Sequence, residues 1–381
     1  MPENITHITL PGRRNEVIVT VAFAYGFLRE STASFGMGHL AEHCLCAQLK
    51  QDKRFKDAWG HIDDRNLVIN IRLSRANHKK LLEDGILKTI SETAQSISPA
   101  ILKTEKLRIC AEIDERYNST VPFVSEYVKG ALIKGPRKLA RARVSQLKVL
   151  RKASMKSLSK TLGVIVSAPY RIFVGDSGAV SARGGHDGAA PTARALAPRL
   201  DVTFSKKRHF KLRPHKTESA FVIAFRIAGI ETSLEQGLVT GFVADEIYES
   251  FRGIAHSQGA YEPYYEILIE REYGIVWFGL YSRAKISSDI GTSFCAMVDS
   301  VLKSKGLDAK LKAYKRDKAD QMRADWTDPA ERQDWIVEDS IEGRKISDLA
   351  MALDILKGIT VEKAKAVGRE VFDSKSAYVF R

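Results

Sequence analysis

The sequence predicts an α+β fold of two related domains. Three observations point there. Each half of the chain opens with strands, passes through helices and closes on a strand. A segment without hydrophobic period divides the halves, and 381 residues suffice for two separate cores. The first domain is expected over 1–176, a linker over 177–207 and the second domain over 208–381.

In the first half, Val17–Ala24 (VIVTVAFA) is β-branched and apolar and Leu67–Leu73 (LVINIRL) alternates, so both read as strands. Helical periods follow over Ala76–Ala94, Ile101–Tyr117 and Val144–Leu162, and Tyr170–Val174 (YRIFV) closes the half as a strand. Residues 177–207 are rich in Gly, Ala, Ser, Pro and Arg, which bury too little apolar surface to stay packed. The second half begins with strand Ser219–Ile227, a helix near Leu234–Phe251 and strand Ile275–Tyr281. Helices at Ser288–Lys303, Asp308–Met322 and Val361–Phe372 lead to a last strand at Ala377–Phe380. No residue-level repeat is visible; the duplication rests on layout.

The charged fraction of 28% against 44% hydrophobic residues is that of a folded chain, which excludes disordered and collagen-like classes. No apolar run reaches the ~20 residues of a membrane span, and the first residues lack the charged and apolar regions of a secretory signal. Four cysteines in a chain of this length read as reduced thiols, so a cytoplasmic protein with no membrane partner is expected. The net charge of +14 favours an acidic peptide or another polyanion as partner.

The most informative residues are His39-Leu40-Ala41-Glu42-His43, an H-x-x-E-H string behind a Gly-rich approach and leading into an apolar helical run. Residues four apart share a helix face, so His39 and His43 can offer imidazole nitrogens to one ion. Glu42, one helical step from His39, can reach a water on that ion. A catalytic zinc usually takes three protein ligands, so a further carboxylate or His is needed from another helix. The segment Lys103–Tyr117 supplies candidates: Glu105 and Glu112 stand seven apart, on one face. Leu107, Cys110 and Ile113 form an apolar stripe that can pack this helix inside the domain. The bland account is a surface helix bearing two solvated histidines.

With these motifs the chain resembles the pitrilysin/insulinase-type zinc metallopeptidases, the inverzincins, in the half-length form similar to mitochondrial processing peptidase subunits and bacterial relatives. The resemblance implies domains built on mainly antiparallel sheets packed with helices, forming half of a clamshell. It implies Zn²⁺ held by His39, His43 and Glu112, Glu42 as general base, and Glu105 as a supporting acidic residue. The family's edge-strand Asn-Ala, which pairs with substrate, is matched by Asp57-Ala58-Trp59-Gly60, with Asp in place of Asn. The Arg and Tyr that the family's second domain sends toward the substrate carbonyl are matched by Arg252 and Tyr261, two residues further apart than the pattern. The implied activity is endopeptidase cleavage of unfolded peptides in a chamber made by two subunits, as a homodimer or with a related subunit. A non-catalytic peptide-binding subunit of such a pair is the alternative.

Three other strings point elsewhere. Gly175-Asp176-Ser177-Gly178 matches the nucleophile motif of chymotrypsin-like proteases, but that all-β, disulfide-bonded fold does not suit these long helical periods. Ser157-Leu158-Ser159-Lys160 matches S-x-x-K without its K-T-G companion and reads as part of a basic helix. Lys134–Lys160 carries 10 Lys+Arg and no acid. Without a recognition fold or stacking aromatics it reads as a solvated or substrate-attracting face, and no nucleic-acid partner is expected.

Overall fold

The computed structural model describes residues 5–10, 15–118, 120–134, 142–176, 195–199, 202–212, 219–227, 229, 234–257, 259–261, 263–283, 285–343 and 348–381. Most of the expected linker, 177–194 with 200 and 201, lies outside the described residues. The first half runs β1 (Ile5–Thr9), β2 (Glu16–Phe23), α1 (Met37–Gln51), β3 (Phe55–Ile62), β4 (Leu67–Ser74), α2 (Arg75–Asp84), α3 (Ile86–Gln95) and α4 (Pro99–Asn118). It continues with α5 (Thr120–Leu132), β5 (Ile133–Lys134), α6 (Ala142–Arg151), α7 (Met155–Val166) and β6 (Tyr170–Asp176). The second half runs β7 (Thr203–Phe204), β8 (His209–Phe210), β9 (Ser219–Ile227), α8 (Leu234–Ser257), β10 (Tyr264–Ile269) and β11 (Gly274–Ser282). Helices α9 (Ile290–Lys303), α10 (Leu307–Thr327), α11 (Pro329–Ile341), α12 (Leu349–Gly358) and α13 (Val361–Val371) precede the last strand, β12 (Tyr378–Phe380).

Two five-stranded sheets share one plan. The first is ordered β1-β6-β2-β4-β3 and the second β8-β12-β9-β11-β10. In each, one edge pair is parallel, β1 with β6 and β8 with β12, and the other neighbours are antiparallel. Identical order with identical sense is the duplication that strand layout predicts, now visible as topology. A short β5–β7 pair stands apart. Among the described residues no helix is long and apolar enough to cross a membrane.

Compact packing divides the chain into Met1–Arg116, Arg141–Pro198 and Ala324–Ser347 as one unit and Tyr117–Ala140, Arg199–Arg323 and Asp348–Arg381 as the other. A single cut at the linker would leave α5 in the first unit and α11 in the second. Packing assigns each to the opposite unit, because each helix's apolar stripe finds its sheet there. In the first unit, Ile336, Val337 and Ile341 of α11 pack on Ile18, Ala22, Val68 and Phe173. In the second, Val124, Val128 and Leu132 of α5 pack on Val222, Ala224, Ile275, Trp277 and Phe380.

Two expected helices are each a pair. The period over Ala76–Ala94 breaks between α2 and α3 at Gly85, whose φ of 87° is left-handed and favours glycine. The period over Val144–Leu162 breaks before Ser154, which starts α7 with a capping box to Ser157. Strand β3, against whose one face α1 packs, lies at the sheet edge next to β4.

Candidate metal centre

Helix α1 begins at Gly36, whose φ of 90° suits glycine and whose missing Cβ would meet the Gln146 side chain. Two N–H donors at this end of the helix are met by one buried carboxylate. Glu30 accepts from the Gly36 N–H at 2.6 Å and the Gly38 N–H at 2.5 Å. That fixes the first turn, from which His39 projects. His39 and His43, one turn apart, stand with ring centroids 4.8 Å apart and planes at 88°. Both are largely but not wholly buried.

Helix α4 crosses beside them. Its buried stripe is Ile101, Leu102, Glu105, Ile109 and Ile113, a near four-residue repeat. The expected stripe through Leu107 is thereby corrected: Leu107 is 64% exposed, because the helix turns Glu105 and Ile109 inward instead. Glu105, 5% exposed, takes His43 Nδ1 at 3.2 Å and is itself met at both oxygens by Arg108 Nη1 at 3.3 Å. An ionised carboxylate only accepts, so neutral His43 carries its proton on Nδ1 and leaves Nε2 bare. His43 Nε2 lies 3.7 Å from Glu112 Oε2, and His39 Nε2 lies 4.0 Å from Glu112 Oε1.

These separations suit an ion. Ligand atoms ~2.0–2.1 Å from a tetrahedral zinc stand roughly 3.3 Å apart, so small side-chain rotations close the set. His39, Glu42 and His43 also form a group whose potential ligand atoms all lie within 4.8 Å. Glu112, about half exposed, joins it from α4. A partner carboxylate on the non-ligating nitrogen, as Glu105 provides, is the usual way a metal-binding imidazole is oriented. The donor set fits zinc.

Glu42 is 5% exposed, with Oε2 3.7 Å from His43 Nε2 and Oε1 3.5 Å from Cys46 Sγ. Burial raises its pKa above the usual carboxylate value, partly offset by His43 and by the Cys46 hydrogen bond. Burial likewise pushes the Cys44 thiol up to about 12. Glu30 and Cys46, which sequence reasoning missed, thus shape the site, together with Gly60, which it read only as part of the Asp57–Gly60 stretch. Gly60 lies on β3, where a Cβ would sit 2.9 Å from Glu42 Oε1. A carboxylate six residues before a left-handed glycine was the available signal for Glu30; the other two meet Glu42 only in three dimensions.

The remaining candidates fall on β3 and in the second unit. Ala58 is fully buried, Asp57 bonds the Ala58 N–H at 2.9 Å and Lys50 at 3.2 Å, and Trp59 lies under Arg72. Arg252 lies on α8 and bonds Glu249 at 3.4 Å. Tyr261 follows α8, 39% exposed, with its ring 5.0 Å from that of Tyr281. Asp176 of the Gly-Asp-Ser-Gly string pairs with Arg75 at 2.5 Å, while Ser177 and Gly178 lie outside the described residues. Ser157 of S-x-x-K completes the capping box of α7 with the N-cap Ser154. Of the basic stretch, 135–141 lie outside the described residues; Arg151 pairs with Asp114 at 3.9 Å and Lys148, Lys152 and Lys156 are exposed.

No protein-family model and no curated protein matches the sequence. Solved structures do. The chain is similar to a protease from Helicobacter pylori at 12% identity, over 100% of this chain and 96% of that one, with TM-score 0.72. A chain of complex III2 from Candida albicans with Inz-5 bound matches at 12% identity over 98% and 92%, TM-score 0.72. The inactive domain of an M16 peptidase from Pseudomonas fluorescens matches at 15% identity over 99% and 93%, TM-score 0.68. At such identities the likeness is one of fold: the chain shares the two-sheet α+β architecture of these structures, the architecture its pitrilysin/insulinase resemblance implies.

Proposed function

We propose that this chain is a zinc-dependent endopeptidase acting on unfolded peptides. The observation that carries the proposal is the orientation of His43: Glu105 occupies Nδ1, so Nε2 faces Glu112 and the His39 ring. His39, His43 and Glu112 would hold the ion. Zinc bound there supplies Lewis acidity, acidifying water and polarising a peptide carbonyl. Glu42, through Oε2, takes the proton of the attacking water and passes it to the leaving amine. The free edge of β3 at Asp57, Ala58 and Trp59 would hold the peptide as an added strand. Arg252 and Tyr261 would meet the developing negative charge on the carbonyl oxygen. The net charge of +14 favours acidic peptides, including acidic leader or precursor segments. Two subunits, alike or related, would enclose the chamber.

One observation favours a second reading. A likeness to an M16 domain described as inactive suits a non-catalytic peptide-binding subunit of a heterodimer. Zinc content and peptide cleavage by the wild type and Glu42→Gln separate the two. The endopeptidase reading expects zinc in both proteins and a loss of about 10²–10⁴-fold in kcat for the variant. Zinc-loaded wild type that cleaves nothing, alone or as its homodimer, would favour the second reading.

A further inference from the structure

We infer that Cys46, with Gly60, is a positioning residue for Glu42, tying back one carboxylate oxygen so that the other faces the metal donors. The inference rests on the peptidase reading above and adds to it a residue that the H-x-x-E-H string does not contain. Cys46 follows Glu42 by one helical turn, so the two side chains stack on one face of α1. Cys46 is 6% exposed and Glu42 5%, so both side chains are buried. The Cys46 S–H donates to Glu42 Oε1 across 3.5 Å, a normal span for sulfur. Burial pushes the Cys46 thiol well above its ordinary pKa, so it keeps the proton it donates.

The other side of the cradle is bare backbone. A Cβ at position 60 would lie 2.9 Å from Glu42 Oε1, 3.1 Å from Glu42 Cγ and 2.5 Å from the Val68 carbonyl oxygen. Only glycine lets β3 approach the carboxylate this closely. The consequence is directional. The last torsion of a glutamate is broad and roughly two-fold, so an untethered carboxylate samples many orientations. With Oε1 held between Cys46 and Gly60, Oε2 is left 3.7 Å from His43 Nε2, on the side where a water must be deprotonated. The thiol therefore acts through Glu42, not on substrate.

All four cysteines are free thiols, so the S–H stretch in the Raman spectrum reads each donor directly. One band should lie below the others, vanish in Cys46→Ala and move up in Glu42→Gln, whose neutral amide is a weaker acceptor. A Cys46 band that Glu42→Gln leaves in place overturns the inference. In zinc-loaded protein, Cys46→Ala should lower kcat about five- to tenfold with KM within about twofold and zinc content unchanged, and Cys46→Ser should recover part of the loss. An unchanged kcat in Cys46→Ala also overturns it. An inactive wild type would count against the peptidase reading, while the Raman bands would still decide whether the thiol holds Glu42.

Discussion

His43 can give only one ring nitrogen to an ion, because Glu105 occupies the other. In the proposed zinc site Glu105 would therefore orient the ring and Glu112 would ligate, although the two acids are seven residues apart on one helix. Glu105→Gln keeps an acceptor but removes the charge, and should weaken zinc binding about 10–100-fold, read by competition with a chelator. Arg108, which meets both Glu105 oxygens from a largely exposed position, should matter far less. At this scale much of the site was legible. The pair His39 and His43 follows from helix geometry over four residues, and the spacing of Glu105 and Glu112 from the same geometry. Which acid meets which nitrogen of His43 was not legible from spacing, since it depends on how far α4 is rotated against α1. The approach of Cys46 and Gly60 to Glu42 was illegible for a related reason: a thiol and a glycine carry no signature until a carboxylate lies between them.

Helix α11 shows how an element's chemistry is set by what it covers. It lays Ile336, Val337 and Ile341 on the first sheet and carries a polar thread beneath them. Gln333 Nε2 donates to Thr20 Oγ1 at 2.5 Å and to the Ile18 carbonyl at 3.2 Å, and Thr20 donates to Asn70 at 2.5 Å. Asp334 on the same helix has its pKa pushed up to about 6 by burial, with His61 opposing and Glu331, Glu338 and Asp328 adding to the rise. An unfolded aspartate ionises near ~3.9, so between that value and about 6 the folded chain binds more protons than the unfolded one. Stability should therefore fall as pH rises through this window. Asp334→Asn should remove that part of the slope, gaining about 1–2 kcal/mol over wild type at pH 7 relative to pH 4 in denaturant titrations. Sequence periodicity found neither α11 nor α5, because each stripe is short and interrupted by polar residues. It also fused α2 with α3 and α6 with α7, where one left-handed glycine and one serine cap break otherwise continuous patterns.

For the whole molecule, the sheets repeat one topology while each takes a covering helix from the opposite half of the chain. Strand and helix order made the duplication legible; the exchange of α5 and α11 was not, since linear order does not say which sheet a helix chooses. Fragment 1–176 alone would leave Ile18, Ala22, Val68 and Phe173 uncovered, and fragment 208–381 would leave Val222, Ala224 and Trp277 uncovered. Each fragment alone should aggregate or bind a hydrophobic dye, whereas co-expression should give a soluble pair eluting together from a sizing column. Two fragments that fold separately with native spectra would show that the exchanged helices are dispensable.

Native mass spectrometry of the purified chain, supplied with zinc, tests the metal site and the assembly in one reading. One zinc per chain is expected in the wild type and in Glu42→Gln, none in a His39→Ala/His43→Ala variant, and a dimeric mass or capture of a related subunit. A wild-type chain that stays metal-free, or a double variant that still takes up zinc, would contradict that expectation.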